Sequence, residues 1–131
     1  MTDAVKGLQA ALGYQFTDST VLGRALTHRS AGPAHNERLE FLGDRGLGLL
    51  LAHYFYAAFP NDDEGALSLR LHAEARMSTL ADVARALNLA DYIQSQVGLD
   101  IANNDGVMAD VVESIIAVSY THLTLPTNRE V

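Results

Sequence analysis

Glu37, Glu40 and Asp44 stand at i, i+3 and i+7 in the run His35-Asn36-Glu37-Arg38-Leu39-Glu40-Phe41-Leu42-Gly43-Asp44. On a helix those spacings return to one face. The surrounding residues are mostly apolar: Leu39, Phe41, Leu42, Leu47, Leu49, Leu50 and Leu51. Clustered oxygen ligands attract hard cations such as Mg²⁺ or Mn²⁺. The bland alternative is the solvated face of an amphipathic helix.

A second pair changes the balance. Asp110 and Glu113 lie at i, i+3 within the apolar segment Val107 to Val118. Two apolar helices, each with a short carboxylate pair, can pack so that four acids converge. Acids held that close must protonate or bind a cation. A metal site accounts for both pairs at once, whereas two solvated faces would be a coincidence.

The elements that must position these acids read as helices with almost no strands. Asp3 to Leu12 is a short amphipathic segment ended by Gly13, and Asp18 or Ser19 can cap a helix running to about His28. Ala31-Gly32-Pro33-Ala34 breaks it. Asn36 caps a long central helix that reaches about Ala58 and stops before Pro60. After the polar loop Asn61 to Gly65, a helix is predicted from about Ala66 to Ala86, with Leu67, Leu71, Ala75, Leu80 and Val83 near helical spacing. Gly98 to Gly106 reads as loop, and a last helix covers about Val107 to Tyr120. Gly43, Gly46 and Gly48 each cost the central helix roughly 1 kcal/mol relative to Ala. Close approach of another backbone, in a buried or dimer contact, would justify them.

With these residues in place, the chain resembles the ribonuclease III family. Glu37-Arg38-Leu39-Glu40-Phe41-Leu42-Gly43-Asp44, followed by an apolar helix, is similar to the family's hallmark motif. Leu12-Gly13-Tyr14-Gln15-Phe16, Leu22 and Ala25-Leu26-Thr27-His28-Arg29-Ser30 resemble its opening helices. Glu64-Gly65-Ala66-Leu67-Ser68 resembles the start of its next helix, and Ala109-Asp110-Val111-Val112-Glu113-Ser114 its second acidic motif. The set keeps the family's order from about Leu8 to Tyr120. Gly46 departs from the pattern, where a larger apolar residue is usual.

The resemblance implies an all-α fold, the helical bundle of the ribonuclease III endonuclease domain, over residues 1–120. It implies a Mg²⁺-dependent (or Mn²⁺-dependent) endoribonuclease that cuts double-stranded RNA, leaving 5′-phosphate and 3′-hydroxyl ends, in the cytoplasm and as a homodimer. Glu40, Asp110 and Glu113 are then metal ligands, Asp44 and Glu113 catalytic, and Glu37 and Glu64 supporting. An acid opening a helix, as Glu64 does, also suits the helix dipole. Phe41 would insert into the partner subunit. Two other readings stand beside this one: an RNA-binding or assembly module of the same fold without catalysis, and an inactive fragment. The family continues after Tyr120 with a Leu-Asp-Gly-Gly-like turn and another helix, then a double-stranded-RNA-binding domain. Residues 121–131 do not resemble that continuation, so the endonuclease domain is expected to be C-terminally incomplete and this tail to pack poorly.

Composition bounds the rest. The chain has 131 residues with 48% hydrophobic content, enough for one core. No stretch has the length of a membrane span, and no secretory signal opens the chain. There is no Cys, which excludes disulfides, a thiol nucleophile and a Cys-based zinc site. The net charge of −7 opposes nucleic-acid binding unless cations invert the field at the acids. It predicts weak RNA affinity. Asn103, Asp105 and Gly106 hint at a calcium loop, but Ile101 and Val112 stand where acids are needed. His28, His35, His53 and His72 lack zinc-like spacing, so each reads as structural or surface. Ser30 and Ser68 lack triad partners. Arg38 would serve RNA or pair with a neighbouring acid.

Overall fold

The computed structural model describes residues 2–121. Of the expected tail, Thr121 ends the last helix, and the remainder lies outside the described residues. Among the described residues, six α-helices make up the fold, joined in places by 3-10 turns, and no strand is present. None of these helices is long and apolar enough to cross a membrane.

α1 (Asp3–Leu12) starts where the Thr2 hydroxyl accepts from Val5 N at 3.2 Å and stops at left-handed Gly13 (φ 66°). It buries Val5, Leu8 and Gln9. The Gln9 amide oxygen accepts from Phe16 N at 2.7 Å, which fastens the following loop to the core. α2 (Ser19–Ala25) is capped by Asp18, whose carboxylate accepts from Thr20 N and Val21 N. It ends at Ala25, before His28. The chain there turns extended because Leu26 O accepts from Gln94 N at 2.7 Å and His28 N donates to Gln94 O at 2.8 Å. This isolated Thr27–Gln94 bridge takes backbone groups that a longer α2 would have used.

α3 (Glu37–Ala58) has the expected length. Asn36 precedes it but makes no side-chain cap; its amide instead donates to Ala25 O at 3.3 Å, from a buried position. The helix expected over 66–86 is two helices, α4 (Glu64–Ala75) and α5 (Met77–Ala86), broken at extended Arg76 (φ −66°, ψ 153°). No Gly or Pro marks the break, so helical spacing reads through it. Packing makes it: α4 lies on α3 while α5 lies on α6. The Arg76 guanidinium and the Thr79 hydroxyl both donate to Ala73 O, which satisfies a carbonyl freed by the turn. α6 (Asp105–Thr121) begins slightly earlier than expected, with the Asn104 side chain accepting from Val107 N at 3.1 Å.

The core is centred on α6. Met108, Val111 and Val118 are fully buried there in one cluster with Leu8, Leu22, Leu26, Ala84 and Leu89, and Ser114 and Ala117 are fully buried on the same helix. The long α3 is not the central element. Only Gly43 and Phe55 are buried on it, and Leu49, Leu50, Tyr54 and Tyr56 are exposed. The pairing of α3 with α6 is the most extensive in the fold and positions the acids. Gly43 permits it: a β-carbon there would overlap the carbonyl oxygen of Glu113. The same reasoning does not extend along the helix. A β-carbon on Gly46 would meet only the Ile116 side chain at 3.9 Å, and one on Gly48 nothing within 4 Å.

Candidate metal centre and active site

Glu40 lies in the first turn of α3, and Asp110 and Glu113 lie one turn apart on α6. The Gly43 contact brings the two helices close enough for one carboxylate oxygen of each of the three to fall within 4.8 Å of the others. Two buried groups hold this approach. Asn36 O accepts from Glu40 N at 2.8 Å and from the Ser114 hydroxyl at 3.3 Å, while that hydroxyl also lies 2.8 Å from Asp110 O. The turn that presents Glu40 is thereby tied to the turn that presents Asp110 and Glu113.

Ionised acids cannot sit this way unaided. Burial, then the charge of Glu40 and a hydrogen bond with it, push the Asp110 carboxyl up to about 7. Burial, then a hydrogen bond with Asp44 and its charge, push Glu113 up to about 8. Each hydrogen bond needs one proton between two carboxyl groups. Arg29 is the counterweight: it favours ionised Asp110 and lies 3.7 Å from Glu37.

The donor set fits a hard divalent cation. It consists of carboxylate oxygens alone, and Glu113 Oε2 is buried with no hydrogen-bond partner among the described residues. A buried carboxylate oxygen left alone is unfavourable, and a cation would satisfy it while replacing the shared protons.

The sequence-derived acids divide into groups. Glu40, Asp110 and Glu113 converge as expected. Asp44 reaches Glu113 by a hydrogen bond, stays outside the three-ligand set, and is paired with Arg45 at 3.0 Å. Glu37 lines the same cleft, of about 390 Å³, with Glu40, Asp110, Arg29 and His28. Glu64 opens α4 behind its cap Asp63 and makes no hydrogen bond or ion pair with the cluster among the described residues. Phe41 is 66% exposed, which excludes it from this chain's core, and Arg45 stacks on it at 5.5 Å. Arg38 forms no ion pair among the described residues and lines the groove beside Phe41. The reading from sequence missed Arg29, Ser114 and the true role of Asn36. Only the position of Ser114, beside Glu113 in an otherwise apolar helix, offered a signal.

The two raised carboxyls give a pH prediction. Both bind protons more tightly folded than unfolded, so folding takes up protons and stability falls as pH rises. For Asp110 the loss runs from 3.8 to about 7, and for Glu113 from 4.5 to about 8. The melting temperature of the metal-free chain should fall across that window. Mg²⁺ should raise it more at about pH 8 than at about pH 5, since the cation competes with protons for the same oxygens. Glu113→Gln should flatten both trends. A metal effect equal at both pH values would show that these carboxyls are not the site.

Comparison with known proteins gives the same residues a setting. The Ribonuclease-III-like family model matches residues 18–130. Ribonuclease 3 of Vibrio cholerae is 39% identical over 134 residues, covering 100% of this chain and 60% of that protein. Ribonuclease 3 of Bartonella tribocorum is 47% identical over 116 residues, covering 82% and 48%. The chain thus spans about half to three-fifths of the length of these curated relatives. Among solved structures, the nuclease domain of ribonuclease III from Campylobacter jejuni, described for flexibility in a region involved in dimer formation, superposes with a TM-score of 0.84 at 35% identity. That match covers 89% of this chain and 85% of that one. Dicer from Pichia stipitis superposes at 0.68 and 25% identity, covering 87% and 51%.

Proposed function

Because the chain belongs to the ribonuclease III family, we propose that it is an endonuclease domain hydrolysing phosphodiester bonds of double-stranded RNA in the cytoplasm. The observation that carries this reading is the convergence of Glu40, Asp110 and Glu113 on one another, with a buried Glu113 Oε2 that has no hydrogen-bond partner among the described residues.

Glu40, Asp110 and Glu113 would hold Mg²⁺ or Mn²⁺. When bound, the cation supplies Lewis-acid stabilisation of charge on the phosphate and on the leaving oxygen. Asp44, hydrogen-bonded to Glu113, orients the attacking water and accepts its proton. Attack at phosphorus breaks the bond to the 3′ oxygen, which leaves with the bonding electrons and takes a proton from solvent water, so the products carry a 5′ phosphate and a 3′ hydroxyl. Asn36 and Ser114 keep the two acidic turns opposed, and Arg29 tempers the negative charge that the incoming phosphate meets. RNA would be selected by its A-form shape and 2′-hydroxyls more than by sequence. With a net charge of −7, the chain's hold on RNA should depend on divalent cation and weaken with added salt. The decisive assay incubates the purified chain with long double-stranded RNA, in Mg²⁺ and in chelator. Cutting only with Mg²⁺ supports the reading; binding without cutting in either condition would make the chain a module without catalysis.

Homodimer formation belongs to the same proposal. Phe41 stands exposed in a groove of about 780 Å³ that it lines with Val21, Leu39 and Leu42 together with Arg24, Glu37 and Arg38, and a large exposed aromatic in such a mixed apolar and charged groove suits a second copy of the same surface. Light scattering should give a dimer for the wild type and a shift toward monomer for Phe41→Ala. A wild-type monomer at high concentration would remove this part.

A further inference from the structure

His28 is the feature of the cleft that the metal site leaves unexplained. It stands beside the acids, half-buried, on the extended segment between α2 and α3. Its backbone N–H donates to Gln94 O at 2.8 Å, which fixes the segment. Ser30 holds its ring: Ser30 N donates to Nδ1 at 3.1 Å, and the Ser30 hydroxyl lies 2.7 Å from the same atom. That hydroxyl also accepts from Gln96 N at 2.9 Å, which holds it in place beside the ring. A ring nitrogen that accepts from a backbone N–H carries no proton. The ring proton therefore resides on Nε2, which has no partner among the described residues.

The other donors around the acids are placed differently. The Asn36 amide is committed to Ala25 O, and Arg29 lies against Glu37. The Asn104 amide N–H₂ has no partner among the described residues, but that residue is exposed just before α6 and its side chain is held there through its oxygen. His28 alone combines partial burial, a pinned ring and an uncommitted N–H. A neutral donor also suits the place. It can meet a phosphate oxygen without a second positive charge competing with the cation for the acids.

We propose that His28 is a substrate-binding residue whose Nε2–H donates to a phosphate oxygen of RNA in the acidic cleft, with Ser30 as the residue that fixes its tautomer. The proposal rests on the endoribonuclease reading above.

Two isosteric substitutions separate this role from a structural one. Asn places an amide oxygen where Nδ1 lies and keeps the contacts to Ser30, but lacks the outer donor. Gln extends an N–H₂ toward the Nε2 position but loses the inner acceptor. RNA affinity is to be measured by fluorescence anisotropy of a labelled duplex in the Glu113→Gln background, with melting temperatures alongside. His28→Asn should keep its melting temperature and bind RNA at least about tenfold more weakly, the scale of a hydrogen bond to a charged group. His28→Gln should melt lower yet bind RNA better than His28→Asn. Unchanged affinity in His28→Asn, or the reverse order of the two variants, would overturn the role of His28 while leaving the endoribonuclease reading intact. Failure of the wild-type chain to bind or cut duplex RNA would overturn both. A ¹H–¹⁵N correlation spectrum of the wild-type imidazole gives a test that needs no variant: an Nε2-protonated ring is expected, and an Nδ1-protonated ring refutes the geometry.

Discussion

Glu113→Gln should reduce cleavage of double-stranded RNA by at least about 10²-fold, the scale on which removal of one preorganised electrostatic contact acts, while RNA binding is retained. The substitution keeps the size of the side chain and its place on buried α6, so the packing against α3 should survive. It removes the charge that a divalent ligand requires. It also removes the group that shares a proton with Asp44 and raises the charge density around Glu40 and Asp110. Asp44→Asn should behave alike, because its carboxyl contributes through the same hydrogen bond. The fold should moreover gain stability above about pH 8, where wild-type Glu113 is held ionised in a buried setting without metal. Loss of activity together with that gain separates a functional acid from a structural one. Near-normal cleavage by Glu113→Gln in Mg²⁺ would remove the central claim.

How much of this was legible before the structure depends on the length scale of each signal. The acids were legible because helical spacing is local: Glu40 and Asp44 on one segment, and Asp110 and Glu113 on another, needed only a period of 3.6 residues. That the two segments face each other is a long-range fact, and it was reached through the metal argument and the family resemblance. The C-terminal ends of α1 and α3 were legible from Gly13 and Pro60. The α4–α5 break was not, because no residue type marks Arg76 and the cause lies in which partner helix each half meets. The early end of α2 depends on Gln94, nearly seventy positions further on. Asn36 was read as a cap because its type and place suit one. Burial beside Ala25 and Ser114 gave its amide and carbonyl other partners. The apolar character of α3 left a buried contact and a dimer contact both open. A run of leucines implies burial, but here the core is built on α6, and Leu49, Leu50 and Tyr54 face outward.

Gly43→Ala tests whether the approach of α3 to α6 is what assembles the site. Two effects of the substitution oppose each other. Ala is the better helix former by roughly 1 kcal/mol, which alone would stabilise α3. Against this, the added β-carbon would overlap the backbone carbonyl of Glu113. Backbone cannot rotate away as a side chain can, so the helices must separate along the most extensive contact in the fold. Overpacking typically costs about 1–3 kcal/mol and occasionally more; a clash with unyielding backbone belongs at the upper end, and the helix-propensity gain does not offset it. The separation also carries Glu113 away from Asp44 and Asp110 away from Glu40. Cleavage should therefore fall even in the fraction of molecules that remains folded, and Mg²⁺ should protect that fraction less against heat. Gly48→Ala is the matched control. It lies on the same helix with nothing within 4 Å of its β-carbon, so only the propensity term applies and the variant should be more stable by about 1 kcal/mol. Urea unfolding of both variants, with and without Mg²⁺, decides the matter. If Gly43→Ala proves as stable as Gly48→Ala and binds Mg²⁺ normally, the close contact at Glu113 does not set the geometry of the acids.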